Sequence, residues 1–116
     1  MKIAVMGEIH QDGWNVFKDN NIESFEILNF KEDYLKKELF EVDAILLRTA
    51  NLSNDVLSCC SKLKIISRHG VGYDNVNLEY LNQNNIALGI TSTSNAVSVA
   101  EHVLTSFLYL SKNIHL

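Results

Sequence analysis

The chain has 116 residues, which suits one domain whose folding buries about two thirds of the surface its unfolded chain exposes. Hydrophobic residues make up 47% and charged residues 21%, a globular balance that argues against disorder, and a formal charge of -4 without a basic stripe argues against nucleic acid as a partner. The apolar opening Met1-Lys2-Ile3-Ala4-Val5-Met6 is interrupted by Glu8 and is too short for a signal peptide or a membrane span, so the cytoplasm is the expected location.

Strand and helix signals alternate along the chain. Ile3 to Met6 reads as a buried strand closed by Gly7, and His10 to Asn20 as a helix with Trp14 and Phe17 on one face. Phe25 to Leu28 is a second strand. Lys31 to Phe40 is a charged helix expected to turn Tyr34, Leu35, Leu39 and Phe40 inward. Ala44 to Leu47 is apolar on both faces and therefore predicts a central strand. Ser53 is placed to cap a helix reaching Cys60, Lys64 to Ser67 is a fourth strand, Asn77 caps a helix from Leu78 to Gln83, and Ile86 to Leu88 is a fifth strand. Val97 to Ile114 is a long helix. Ser98 and Glu101 have the spacing of a capping box, with Asn95 as the alternative cap one turn earlier. Five strands separated by helices predict an α/β fold, a flavodoxin-like open parallel sheet ordered 2-1-3-4-5 with helices on both faces and a long C-terminal helix.

In such sheets ligands lie beyond the carboxyl ends of the strands. Here those ends carry Gly7-Glu8-Ile9-His10, Arg48-Thr49, Arg68-His69-Gly70-Val71-Gly72 and Thr91-Ser92-Thr93-Ser94-Asn95. Arginine offers a planar fork for carboxylate or phosphate, and glycine lets backbone N–H groups approach an anion. The residues therefore point to a small anionic ligand. Taken singly, each arginine reads equally as surface charge and the glycines as a tight turn; the candidate site rests on their convergence at one edge. Cys59 and Cys60 are adjacent and lack the spaced partners of a zinc site, so they read as reduced helix-end packing residues and no metal site is expected.

Three stretches carry a resemblance to a known family. Asp43-Ala-Ile-Leu-Leu-Arg-Thr-Ala-Asn-Leu-Ser is similar to a stretch of phosphoglycerate dehydrogenases in which an arginine ends a strand. Leu63-Lys-Ile-Ile-Ser-Arg-His-Gly-Val-Gly-Tyr-Asp-Asn-Val resembles the signature LK-hydrophobic-R-x-G-x-G-x-D-N, and Asn95-Ala-Val-Ser-Val-Ala-Glu-His resembles a helix start N-x-x-S-V-A-E-H. The family is that of the D-isomer-specific 2-hydroxyacid dehydrogenases, and the resemblance spans essentially the whole chain. It implies that Arg48 and Arg68 face the anionic end of a 2-hydroxy or 2-oxo acid. It implies also that the amides of Gly70, Val71 and Gly72 hold its carboxylate and that Asn95 lines the same cleft. Glu101 and His102 are implied to be structural, on the helix that crosses into a cofactor domain, while the side chains of Asp74 and Asn75 read as fixing a turn.

On this resemblance residues 1–96 are the substrate-binding fold and 97–116 an interdomain helix. The NAD-binding Rossmann domain of the full-length family, with its catalytic arginine, carboxylate and histidine, is expected to be absent from the chain, as is the helix that returns to complete the substrate domain. None of His10, His69, His102 or His115 matches the catalytic histidine, and Ser92 stands where the family usually has proline. Gly70-Val-Gly72 lacks the third glycine of a dinucleotide fingerprint, so no catalytic or cofactor-binding residue is assigned within this chain. The helix over 97–114 is expected to serve a homodimer or the absent cofactor domain, its sheet covering one side only. An alternative is a stand-alone anion-binding or regulatory module that has lost chemistry. Arg48 occupies the place of a receiver's phosphoacceptor aspartate, and Glu8-Ile9-His10 that of a hydroxyl-rich FMN loop, which argues against two other flavodoxin-like functions.

Overall fold

A computed structural model describes residues 1–114 of the chain. Strands β1 (Lys2–Met6), β2 (Glu23–Ile27), β3 (Ala44–Leu47), β4 (Ile65–Arg68) and β5 (Ala87–Ile90) form one all-parallel sheet in the order β2-β1-β3-β4-β5. This is the predicted order, with β3 in the middle. Helices α1 (Gln11–Asp19), α2 (Glu32–Glu38), α3 (Asn54–Leu57), α4 (Leu78–Gln83) and α5 (Ala96–Ser111) follow the strands in turn.

Local chemistry explains the boundaries. Ser53 Oγ accepts from the Val56 N–H at 3.3 Å and Asn77 Oδ1 from the Tyr80 N–H at 3.1 Å, so both predicted caps satisfy orphan amides at their helix starts. The chain has no proline, and asparagine takes the left-handed positions after helices instead: Asn21, Asn85 and Asn113 have φ of 52°, 54° and 51°. Helix α3 ends at Leu57, short of the predicted Cys60. The chain tightens there into three-residue turns, Cys59 N–H to Val56 O and Cys60 N–H to Leu57 O, which still deliver Cys60 to the core.

The principal core lies on one face of the sheet. Ala4, Met6, Ile45, Leu47 and Ile66 meet Leu35 and Leu39 from α2 and its end, Val56 and Leu57 from α3, and Leu81 from α4. Of the four residues expected inward on the second helix, only Leu35 and Leu39 are buried. Tyr34 and Phe40 are exposed, because a helix of 7 residues presents one narrow stripe and these two flank it. The opposite face carries α1, whose Trp14 and Phe17 meet edge to face at 6.0 Å while both stay partly exposed.

Helix α5 departs from expectation. Every residue from Ala96 to Ser111 except Ser106 is exposed, so the sheet covers neither side of it. The chain leaves β5 through a turn in which Ala96 N–H reaches Thr93 O at 3.3 Å, and the helix then runs clear of the sheet. It begins at Ala96, which puts Ser98 inside the first turn and rules out the capping box. Asn95 occupies the cap position, but its side chain makes no cap hydrogen bond.

At the amino edge Asp43 joins three strands. Its carboxylate accepts the Lys2 N–H at 2.8 Å, its N–H donates to Lys2 O, and its carbonyl accepts from the Lys64 N–H. The Lys2 hydrogen bond, aided by the nearby charges of Lys64 and the N-terminus, holds the Asp43 carboxyl below its usual range against a smaller opposing effect of burial. A carboxyl depressed in the folded state stabilises above its unfolded pKa, about 3.9, and that contribution is lost as pH falls through the lower native value. We therefore expect Asp43→Asn to be less stable than wild type at neutral pH, with the difference closing below about pH 4. Urea titrations of both proteins between pH 7 and pH 2 measure this, and a constant difference over that range would show that the carboxylate's charge is irrelevant.

Candidate functional site

The register of the central strands sets the site. Leu47 pairs with Arg68 across β3 and β4, and Met6 with Leu47 across β1 and β3. Arg48 and Arg68 therefore leave the sheet at the same carboxyl edge, Arg48 just beyond β3 and Arg68 as the last residue of β4. Arg48 is exposed and its Nη1 donates to Glu8 O at 3.2 Å, which turns it toward the end of β1. Gly7, at φ 103°, lets the chain pass: a Cβ there would stand 3.3 Å from Arg48 Cβ.

Arg68 is held differently. Its Nη1 donates to His69 O at 2.6 Å, and its guanidinium lies over Gly70, where a Cβ would stand 2.7 Å from Nη1. Its Nε is buried without a protein partner. The Thr91 N–H donates to Gly70 O at 3.1 Å, so the end of β5 braces the glycine loop. Val71 and Gly72 are exposed beyond that anchor.

A cavity of about 190 Å³ is lined by Thr49, Arg68, Gly72, Asp74 and Asn75. It brings Arg68 and Gly72 together, while Arg48 lies toward β1 and Asn95 at the start of α5, neither of them lining it. Asn75 fits the reading of its side chain as a turn-fixer: Nδ2 donates to Ala50 O at 2.8 Å, tying the glycine loop to the segment after β3. Thr49 and Asp74 are cavity-lining residues that the sequence reading did not select. Thr49 could have been found from its place directly after Arg48. Asp74 brings a carboxylate beside Arg68, so the cavity is polar and mixed in charge rather than simply cationic. This arrangement suits a ligand that pairs an anionic group with a hydroxyl.

None of the described histidines lines this cavity, and His115 lies outside the described residues. Burial, reinforced by Cys59, pushes the Cys60 thiol up to about 11, away from the thiolate form. No group of three metal-ligating side chains occurs among the described residues. No helix among them is long and apolar enough to cross a membrane.

A five-stranded parallel sheet in this order, with helices on both faces, defines a domain of the doubly wound α/β class. The chain belongs to the D-isomer specific 2-hydroxyacid dehydrogenase family, whose catalytic-domain model matches residues 3–112. It is 39% identical over 83 residues to D-3-phosphoglycerate dehydrogenase of Mycobacterium tuberculosis, covering 71% of this chain and 16% of that protein. It is 29% identical over 100 residues to D-3-phosphoglycerate dehydrogenase of Sus scrofa, covering 85% of this chain and 19% of that one. Among solved structures, an NAD-dependent formate dehydrogenase from Staphylococcus aureus in complex with NAD superposes with a TM-score of 0.82 at 28% identity, over 97% of this chain and 39% of that one. The chain spans between 14% and 37% of the length of the curated relatives it matches.

The packing of Arg68 over Gly70 yields a test. At φ 155° any other residue costs about 1–3 kcal/mol, and its Cβ would push the guanidinium off the His69 carbonyl. Gly70→Ala should lose stability by that amount in urea titrations, and the Arg68 Nη resonances should shift with it. An unchanged midpoint would show that the loop relaxes freely.

Proposed function

We propose that this chain is the substrate-binding portion of an NAD-dependent D-2-hydroxyacid dehydrogenase of the phosphoglycerate dehydrogenase type. The observation that carries this reading is the coincidence of the family match over residues 3–112 with two arginines ending adjacent strands at one sheet edge. In this reading Arg68 and the amides of Gly70, Val71 and Gly72 hold the carboxylate of a small 2-hydroxy or 2-oxo acid. Arg48 and Asn95 border the same edge and meet the rest of the substrate, and two arginines favour a doubly anionic molecule such as a phosphorylated hydroxy acid. Both cysteines are free thiols, which suits a cytoplasmic protein.

The residues present do not fit NAD. The glycine loop leads through Asp74 and Asn75 to α4, which starts only at Leu78, so its amides do not sit at a helix N-terminus facing a pyrophosphate. A cavity of about 190 Å³ with a carboxylate in its wall is also too small and too acidic for a dinucleotide. Cofactor, base and electrophile belong, in this proposal, to the NAD-binding domain of the whole dehydrogenase. The part of this chain is to orient the acid.

Shift mapping by NMR with D-3-phosphoglycerate tests the assignment. An open edge with exposed charge-assisted contacts should bind with a dissociation constant on the order of 1 mM, moving the amides of Val71 and Gly72. Arg68→Ala should weaken binding about tenfold. With NADH and 2-oxo acids the purified chain should show no turnover. Shifts confined to the α1 face, or a rate that needs Arg68, would overturn the proposal.

A further inference from the structure

The cavity of about 190 Å³ at the carboxyl edge has walls of opposite hydrogen-bonding character. On one side Arg68 supplies donors alone, since a guanidinium accepts nothing. On the other side stand Asp74 and Asn75. An ionised Asp74 side chain only accepts. Asn75 commits its Nδ2 to Ala50 O at 2.8 Å and leaves Oδ1 buried without a donor, so the negative end of this amide adds to the potential of the same wall. Thr49 does not choose between the two sides, because its hydroxyl rotates to donate or accept.

Asp74 also lies close to the seat assigned above to the acid. Its Oδ2 would stand 3.4 Å from a Cβ built on Gly72, so the carboxylate rests against that glycine. Arg68 spends its Nη1 on His69 O at 2.6 Å rather than on Asp74. In an acid whose carboxylate meets Arg68 and the Gly72 amide, the substituent on the next carbon is the first group to reach Asp74. A carbonyl oxygen there would face a carboxylate, acceptor against acceptor. A hydroxyl would instead donate a charge-assisted hydrogen bond, about twice as strong as a neutral one.

We propose that Asp74 makes this edge selective for the reduced form of the acid, a 2-hydroxy acid over its 2-oxo counterpart. The proposal rests on the assignment of Arg68 and the Gly72 amide to the ligand's carboxylate, and it adds which oxidation state is held. Arg68 takes the carboxylate of either form, so the choice falls to the acceptor wall. The two forms differ by two hydrogens and barely in volume. Shape cannot sort them at an open edge, whereas hydrogen-bond polarity can. Asp74 repels any anion seated at Gly72; a ligand hydroxyl offsets that repulsion, and a carbonyl adds to it.

D-lactate and pyruvate form the test pair, titrated into the chain with the amide shifts of Val71 and Gly72 as the readout. D-lactate is expected to bind about tenfold more tightly than pyruvate. Propionate, with neither hydroxyl nor carbonyl on that carbon, should fall between them. Asp74→Asn keeps the shape of the side chain and removes its charge. It should weaken D-lactate, strengthen pyruvate and bring the two within about twofold. Asp74→Ser, checked like the first variant for an intact sheet by circular dichroism, should narrow the gap in the same way. The opposite signs carry the test, because a residue that only shapes the loop would move both affinities together. Equal binding of the two acids by the unaltered chain, tighter binding of pyruvate, or a parallel loss of both in the variants would overturn the proposal and leave the anion edge standing. Binding of neither acid would remove the edge assignment, and this proposal with it.

Discussion

The pairing of Leu47 with Arg68 across β3 and β4 is the constraint on which the remaining structure rests. It places Arg68 on the side of the sheet occupied by the core, yet at the last rung, where the guanidinium emerges at the carboxyl edge. A slip of one residue would send Ser67 into the core and turn Arg68 onto the α1 face. The register is held because Ile45, Leu47 and Ile66 are completely buried on the core side, where a polar residue would lack a partner. Packing on one face thus fixes the chemistry at one edge. Gly7 and Gly70 then remove the two collisions that arginine side chains would otherwise have with the neighbouring backbone.

Most of this order was legible in the sequence, for definite reasons. The strand run Ala-Ile-Leu-Leu is apolar at successive positions, which only a strand covered on both faces tolerates, so its central place could be read directly. Caps at Ser53 and Asn77 were legible because a short polar side chain before a helix has few other uses. Tyr34 and Phe40 were misread because composition does not tell a core aromatic from one beside the buried stripe. The edge residues were legible as a set, since strand ends are where such sheets bind. Their grouping was not: whether Arg48 or Thr49 borders the cavity with Arg68 depends on side-chain direction, which Glu8 O decides.

The helix after β5 marks a different boundary of sequence reading. Its residues announce burial, since apolar positions surround most of its circumference, but no periodicity says against what. The structure leaves a cavity on the sheet face beside α1 while α2, α3 and α4 close the other face. The asymmetry separates the two faces. The closed face keeps the strands in register and so fixes the edge at which Arg48 and Arg68 emerge, whereas the face beside α1 is only partly covered.

The two faces meet at Arg68, which lines both the polar cavity of about 190 Å³ and a second cavity of about 240 Å³ with Ile9, His10 and Thr91. Its Nε is buried without a protein partner, so one flank of the guanidinium is withdrawn from water. The field of a guanidinium grows as the surrounding dielectric falls, so this partial burial strengthens its positive charge at the edge. Burial of its stem against the sheet and emergence of its fork at the edge are thus joined in a single side chain, fixed by the register of β4.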